Sequence, residues 1–234
     1  MKWLLLLLFP LNLHAASFSL SSTIPPQAKE HLPALKTQIT EVWPTMPEPA
    51  YFGALVEHES GCPSLPRMCW SPKAQLKTKR EEGAGFGQLT RAFREDGSIR
   101  FDALEDVKRL DRKGLNELRW ETVYTRPDLQ LRVMVIMVRQ SWNRLVPLVP
   151  TDEERLKFTD AAYNGGLGGV MNERRACGLR KDCDPNVWIN NVEKTCLKST
   201  KPIYGTRSAC DINRHHVTDV MLRMPKYRSY LKKD

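Results

Sequence analysis

Hydrophobic and polar positions alternate in blocks along the chain, and most blocks have helical period. After the first sixteen residues, Ser17 to Pro49 is broken by Pro25, Pro26, Pro33, Pro44, Pro47 and Pro49. Among these prolines only Ala34 to Trp43 reads as helical. Ala50 to Ser60 is apolar with helical spacing and is stopped by Gly61 and Pro63. Cys62 to Glu82 reads as a loop. Gly83 to Gly97 is glycine-rich and ends in an Asp96-Gly97 turn. Leu104 to Glu121 again carries apolar residues at helical spacing. Leu129 to Leu148 is the most apolar stretch beyond the N-terminus, and its Leu, Met, Gln and Arg content favours a buried helix over a strand. Thr151-Asp-Glu-Glu154 is a capping-box start for a helix running to about Asn164. The tail from Cys177 is polar, with one further helical stretch from about Ile212 to Leu222. The predicted fold class is mainly α within α+β: a helical domain with a small loop or β-hairpin region lining a cleft.

The first residues set the compartment. Lys2 precedes an apolar run, Leu4 to Leu13, and then His14-Ala15-Ala16-Ser17. A basic start, a run of about ten apolar residues and a small-residue exit read as a secretory signal peptide over 1–16. The run is shorter than the roughly 20 residues that span a bilayer. In an exported chain the six cysteines, Cys62, Cys69, Cys177, Cys183, Cys196 and Cys210, imply disulfides. Neighbour pairing (62–69, 177–183, 196–210) is the simplest of the 15 possible schemes. A zinc site on Cys177, Cys183, His215 and His216 is a poor alternative, because no C-x2-C occurs. No metal or other cofactor is expected.

The 234 residues include 36 Lys and Arg against 27 Asp and Glu, a formal +9, with 41% hydrophobic residues. That excludes wholesale disorder and, with a mean hydropathy of −0.46, a polytopic membrane protein. The charge points to an acidic partner. The basic groups are Lys73, Lys77, Lys79 and Arg80, then Arg174, Arg175, Arg180 and Lys181. Neither is interleaved with aromatics as in a nucleic-acid module, so no nucleic-acid partner is expected.

Candidate chemistry begins in the helix at 50–60. At about 100° per residue, Phe52, Leu55 and Val56 lie within about 60° of Glu59, whereas Glu57 points about 160° away. Glu59 is therefore expected on the apolar face, where a carboxylic acid keeps its proton more readily. Two further stretches bear on it. Glu82-Gly-Ala-Gly-Phe-Gly-Gln-Leu-Thr90 places glycines around Phe86 and Gln88, allowing close approach of a ligand to backbone. Ala161-Ala-Tyr-Asn-Gly-Gly166 ends a helix with Tyr163 and Asn164; alone it reads as an ordinary C-cap.

Taken in order, these stretches resemble the soluble-type lytic transglycosylases, glycoside hydrolase family 23 of the lysozyme-like superfamily, in a phage- or mobile-element-like form. The motifs are Ala54-Leu-Val-Glu-His-Glu59-Ser60, Gly85-Phe-Gly-Gln88 with Leu89-Thr90, and Ala162-Tyr163-Asn164-Gly165. The resemblance covers about half the chain, from Tyr51 to Asn164. The insert of about 20 residues between Ser60 and Arg80 exceeds the family's usual spacing, and the tail from Cys177 has no counterpart. The implied organisation is an N-terminal arm over 17–48, a lysozyme-like catalytic domain over 49–176 and a cysteine-bearing extension over 177–234.

What the resemblance implies is an exported, periplasmic or extracellular enzyme acting on peptidoglycan glycan strands. Glu59 would be the catalytic acid and then base, cleaving the β-1,4 bond from N-acetylmuramic acid to N-acetylglucosamine with formation of a 1,6-anhydro ring. Ser60 would position substrate or Glu59, and Gln88 would bind an N-acetyl or hydroxyl group. Tyr163 would hydrogen-bond Glu59, Asn164 would shape the same wall, and Phe86 completes the substrate-binding set. A hydrolytic muramidase on the same fold would need a second carboxylate, for which Glu95, Asp96 and Asp102 are candidates. A non-catalytic wall-binding protein is the further alternative. An envelope-spanning secretion, conjugation or phage machinery is a possible partner, and no stable membrane insertion is expected after signal cleavage.

Overall fold

The computed structural model describes residues 22–232 apart from Pro63; the predicted signal peptide over 1–16 lies outside them. About 48% of the described residues are helical, with a small antiparallel sheet, a mixed and mainly helical α+β architecture. Among the described residues no helix is long and apolar enough to cross a membrane.

The first helix, α1, spans Ala28–Val42 and starts two turns earlier than the prolines suggest. Pro33 lies inside it at a partly exposed position and costs the helix one internal hydrogen bond. Burial of Leu32, Leu35 and Ile39 holds the segment helical regardless. The stretch expected to be an arm is thus part of the main core, packed against α4 (Pro127–Leu145). Pro127 begins α4 at the position where a missing N–H costs nothing. Arg132 on α4 binds Asp111, Gln38 and Glu41, fastening α1 and the preceding loop to it.

Helix α2 (Ala50–Glu59) lacks the polar face on which Glu57 was expected. Its residues Ala50 through Glu57 are all buried, so it runs through the core with neighbours on every side. Gly53 permits the closest of these approaches. A Cβ there would come within 2.4 Å of the Tyr227 ring.

The stretch read as loop and glycine-rich turn forms a four-stranded antiparallel meander: β1 (Gln75–Lys77), β2 (Glu81–Ala84), β3 (Leu89–Phe93) and β4 (Ile99–Asp102). Its strands are short and mostly exposed on β1 and β4, so they lack the apolar alternation that announces a strand. The helix expected over Leu104–Glu121 is shorter. Asp102 caps α3 (Ala103–Lys108) by accepting from the Glu105 amide. The chain then continues in turns, where Asp111 accepts from the Gly114 amide.

Helix α5 (Asp152–Gly165) begins as predicted, with Thr151 accepting from the Glu154 amide. The Glu154 side chain does not complete a capping box; it accepts from the Trp188 amide and pairs with Lys157. Helix α6 (Leu167–Gly178) follows directly, and the tail then supplies a short hairpin, β5 (Pro202–Tyr204) with β6 (Arg207–Ser208). The capping box that does form is at Ser208 and Asp211, opening α7 (Ala209–Arg223). Helix α7 packs on both α5 and α2. The tail from Cys177 therefore completes the domain.

The disulfides are Cys62–Cys69, Cys177–Cys183 and Cys196–Cys210, the neighbour pairing. With all six cysteines bridged, none is left for the zinc set. Three bridges suit an oxidising compartment.

Candidate active site

The C-terminal end of α2 meets the middles of α5 and α7 at Glu59. It is the last residue of α2, and its side chain is 14% exposed, whereas Glu57 one step inward is 4% exposed. Glu59 Oε1 lies 2.8 Å from Nε2 of His216 on α7, and His216 Nδ1 lies 2.7 Å from Asp160 Oδ2 on α5. The Tyr51 hydroxyl donates to the other Asp160 oxygen at 2.8 Å. Asp160 is completely buried and His216 is 2% exposed. Glu59 Oε2 makes no hydrogen bond among the described residues.

An imidazole with a carboxylate at each nitrogen donates from both when it is cationic. Burial on its own would lower the His216 value, but Asp160 and then Glu59 outweigh it and raise it to about 10. Two phenols line the same chain and stay protonated. Burial pushes Tyr51 well above the usual tyrosine range, helped by Asp160. Burial does the same to Tyr163, helped by the charges of Glu59 and Asp160. Glu59 thus faces a charged polar chain where periodicity predicted an apolar wall.

The structure brings Tyr163 to the site by a different contact from the one expected. Its hydroxyl donates to the Gly87 carbonyl at 2.8 Å, and its ring stacks on His216 at 6.5 Å between centroids. The hydrogen bond expected from Tyr163 to Glu59 comes from His216. Gly87 is required for this packing, because a Cβ there would meet both the Tyr163 hydroxyl and Met134 at 2.5 Å. Asn164 is exposed and accepts from Asn213 Nδ2, which also donates to the Ala161 carbonyl. Gln88 is half-buried at a left-handed φ of 45° and donates to the Gly85 carbonyl.

Two expected substrate contacts are internal. Ser60 is buried; its hydroxyl donates to the Val56 carbonyl at 2.6 Å and accepts from the Trp70 amide at 2.8 Å. It ties the end of α2 to the loop closed by the Cys62–Cys69 bridge. Phe86 is fully buried between His31 and Trp70, so it presents no face to a ligand. Of the candidate second carboxylates, Asp96 accepts from the Ser98 amide and hydroxyl, and Asp102 caps α3 and accepts from the Trp120 indole. Glu95 is exposed in the β3–β4 turn.

Sequence reasoning missed Asp160 and Gln130, and named His216 only in the zinc alternative. Gln130, buried on α4, accepts from the Phe86 amide and donates to the Pro72 and Val123 carbonyls, clamping the glycine loop. His216 carried a signal in the spacing Asn213, His216, Asp219, Arg223, which puts four polar groups on one face of α7. All four are buried and bonded across to α2 or α5, or, for Arg223, to Glu57.

A cavity of about 710 Å³ lies elsewhere: it is lined by Ile24, Glu57, the Cys62–Cys69 bridge, His215 and Asp219, without Glu59. Of the two basic groups, Lys73, Lys77, Lys79 and Arg80 are exposed around β1. In the second, Arg174 is engaged with the Leu148 carbonyl and Asn186, and Arg180 with Asp182. No protein-family model, curated protein or solved structure matches this chain.

Proposed function

We propose that the chain is a lysozyme-like peptidoglycan lytic transglycosylase, exported to act on glycan strands, with Glu59 as its acid and base. The observation that carries this reading is the state of Glu59. It is a partly exposed carboxyl with one oxygen anchored at 2.8 Å by a buried histidine and, among the described residues, no hydrogen bond on the other. An acid that must first give and then take a proton needs that combination of fixed orientation and one accessible oxygen.

In the proposed reaction Glu59 protonates the oxygen bridging N-acetylmuramic acid and N-acetylglucosamine, and the C1–O bond breaks. The muramyl acetamido oxygen supports the oxocarbenium-like centre in place of an enzyme carboxylate, a known exception to the two-carboxylate scheme. The Glu59 carboxylate then takes the proton of the C6 hydroxyl while that oxygen closes on C1. The proton is returned and no water is consumed.

A hydrolase would need a second carboxylate facing a water across the sugar. Asp96 and Asp102 are committed to local backbone and indole hydrogen bonds. Asp160, the carboxylate linked to Glu59, is buried behind His216. The placements of Asp96, Asp102 and Asp160 favour the transglycosylase; Glu95, exposed in the β3–β4 turn, is the candidate carboxylate left to a muramidase. The test is mass spectrometry of the products released from purified sacculi. Anhydro-muropeptides are expected; reducing ends would make the enzyme a muramidase, and no release would leave a wall-binding role.

A further inference from the structure

We infer that His216, backed by Asp160, is a positioning residue that fixes the Glu59 carboxyl and stores the proton Glu59 delivers. This rests on the reading of Glu59 as the acid. The geometry is a continuous line of donors and acceptors through three helices: Tyr51 hydroxyl, Asp160, His216, Glu59. Each link is between 2.7 and 2.8 Å. Asp160 and His216 are buried, so water does not compete for their hydrogen bonds.

A lone carboxyl near neutral pH is mostly ionised and holds no proton to give. Here the proton resides on His216, whose second nitrogen is neutralised by Asp160. For catalysis the Nε2–H bond breaks as the proton passes to the Glu59 carboxylate, leaving neutral imidazole with its Nδ1–H still on Asp160. Glu59 then protonates the bridging oxygen. After the C6 hydroxyl proton is taken up by Glu59, it returns to Nε2, and the imidazolium is restored.

The other groups around His216 fit this role. From α2, His58 packs edge-on at 4.3 Å between ring centroids and is itself paired with Asp219. From α5, Tyr163 stacks on the ring and stays neutral, as does Tyr51 behind Asp160. On α7, burial and then the nearby Arg207 lower His215, keeping it uncharged near neutral pH, while Asp219 is taken up by His58 and Arg223. No further carboxylate is hydrogen-bonded to the ring among the described residues.

The experiment is the rate of muropeptide release from sacculi across pH for the wild type, Glu59→Gln, His216→Gln and Asp160→Asn. Glutamine can hydrogen-bond Glu59 but cannot store a proton. The wild type is expected to stay active well above neutral pH. In His216→Gln the alkaline limb should fall by about two pH units or more, because the store is gone. In Asp160→Asn it should fall by less, since the hydrogen bond is kept and only the charge is lost. An alkaline limb unmoved in His216→Gln, with Glu59→Gln inactive, would overturn the role of His216 and leave Glu59 standing. Activity retained in Glu59→Gln would remove Glu59 as the acid and this inference with it. Should the variants fail to fold, ¹⁵N spectra of the wild-type imidazoles decide: His216 must remain doubly protonated through neutral pH, and titration near the ordinary value of about 6.5 overturns the proposal.

Discussion

Glu57 and Glu59 lie two residues apart on α2, and both are bound by side chains of α7, yet their surroundings differ in kind. Glu57 is enclosed. Arg223 and Lys226 reach one oxygen and the Tyr227 hydroxyl the other, so both oxygens are engaged by donors. Arg223 in turn binds Asp219, which pairs with His58. Glu59, at the helix end, has one titratable donor and one uncommitted oxygen. A carboxylate saturated by permanent cations is structural; one held by a single group that can gain or lose a proton is suited to chemistry. Sequence position alone suggested the opposite division, with Glu57 on the polar side.

The sharpest way to break this comparison is to neutralise each carboxyl in turn. Glu59→Gln should cost about 10²–10⁴-fold in muropeptide release, with an unfolding midpoint near that of the wild type. Glu57→Gln should instead destabilise the fold by about 3–5 kcal/mol in denaturant titration, because it strands buried cations. Exchanged outcomes would reverse the assignment of the two groups.

The same contrast has a pH signature. His216 has a folded value raised to about 10, so its contribution to stability is full below about 6.5 and is lost as pH rises toward 10. Asp219 has the opposite sign. Burial would raise its carboxyl, but the hydrogen bonds from His58 and Arg223 hold it well below the usual range. Its contribution is therefore present above the unfolded value of 3.8 and is lost as pH falls below that. Stability measured against pH should thus decline on both sides, and His216→Gln should flatten the alkaline side only. A smaller effect is expected at the end of α2. Ser60→Ala leaves the buried Trp70 amide without its acceptor and should cost about 1–3 kcal/mol. A loss of substrate affinity with unchanged stability would restore Ser60 to a binding role.

Much of the helical framework was legible in sequence because local signals agreed with burial. Helices α2, α4 and α5 fall where apolar period and the Thr151 cap place them. The cysteine pairs follow the shortest loops. A small β region was expected, but its strands were not legible one by one, since Gln75-Leu-Lys77 and Glu81-Glu-Gly-Ala84 show no alternating apolar face, and pairing between them is a non-local property. The overlong reading at Leu104–Glu121 failed because period outlasts the helix past the turn at Asp111–Gly114. At the site, the motifs found Glu59 and Tyr163 but not their partner. His216 lies within the unmatched tail, and its meaning depends on a contact formed across 157 residues.

That separation has a consequence for the order in which the protein becomes competent. A chain that leaves the ribosome or crosses a membrane from its N-terminus presents Glu59 long before α7 exists. Until α7 docks, Glu57 lacks its cations and Glu59 lacks its imidazole, so the partly made protein carries the acid but neither its anchor nor its proton. Under the proposed chemistry, folding itself acts as the safety catch on a wall-cutting enzyme, released only when the last helix closes over the first half of the chain.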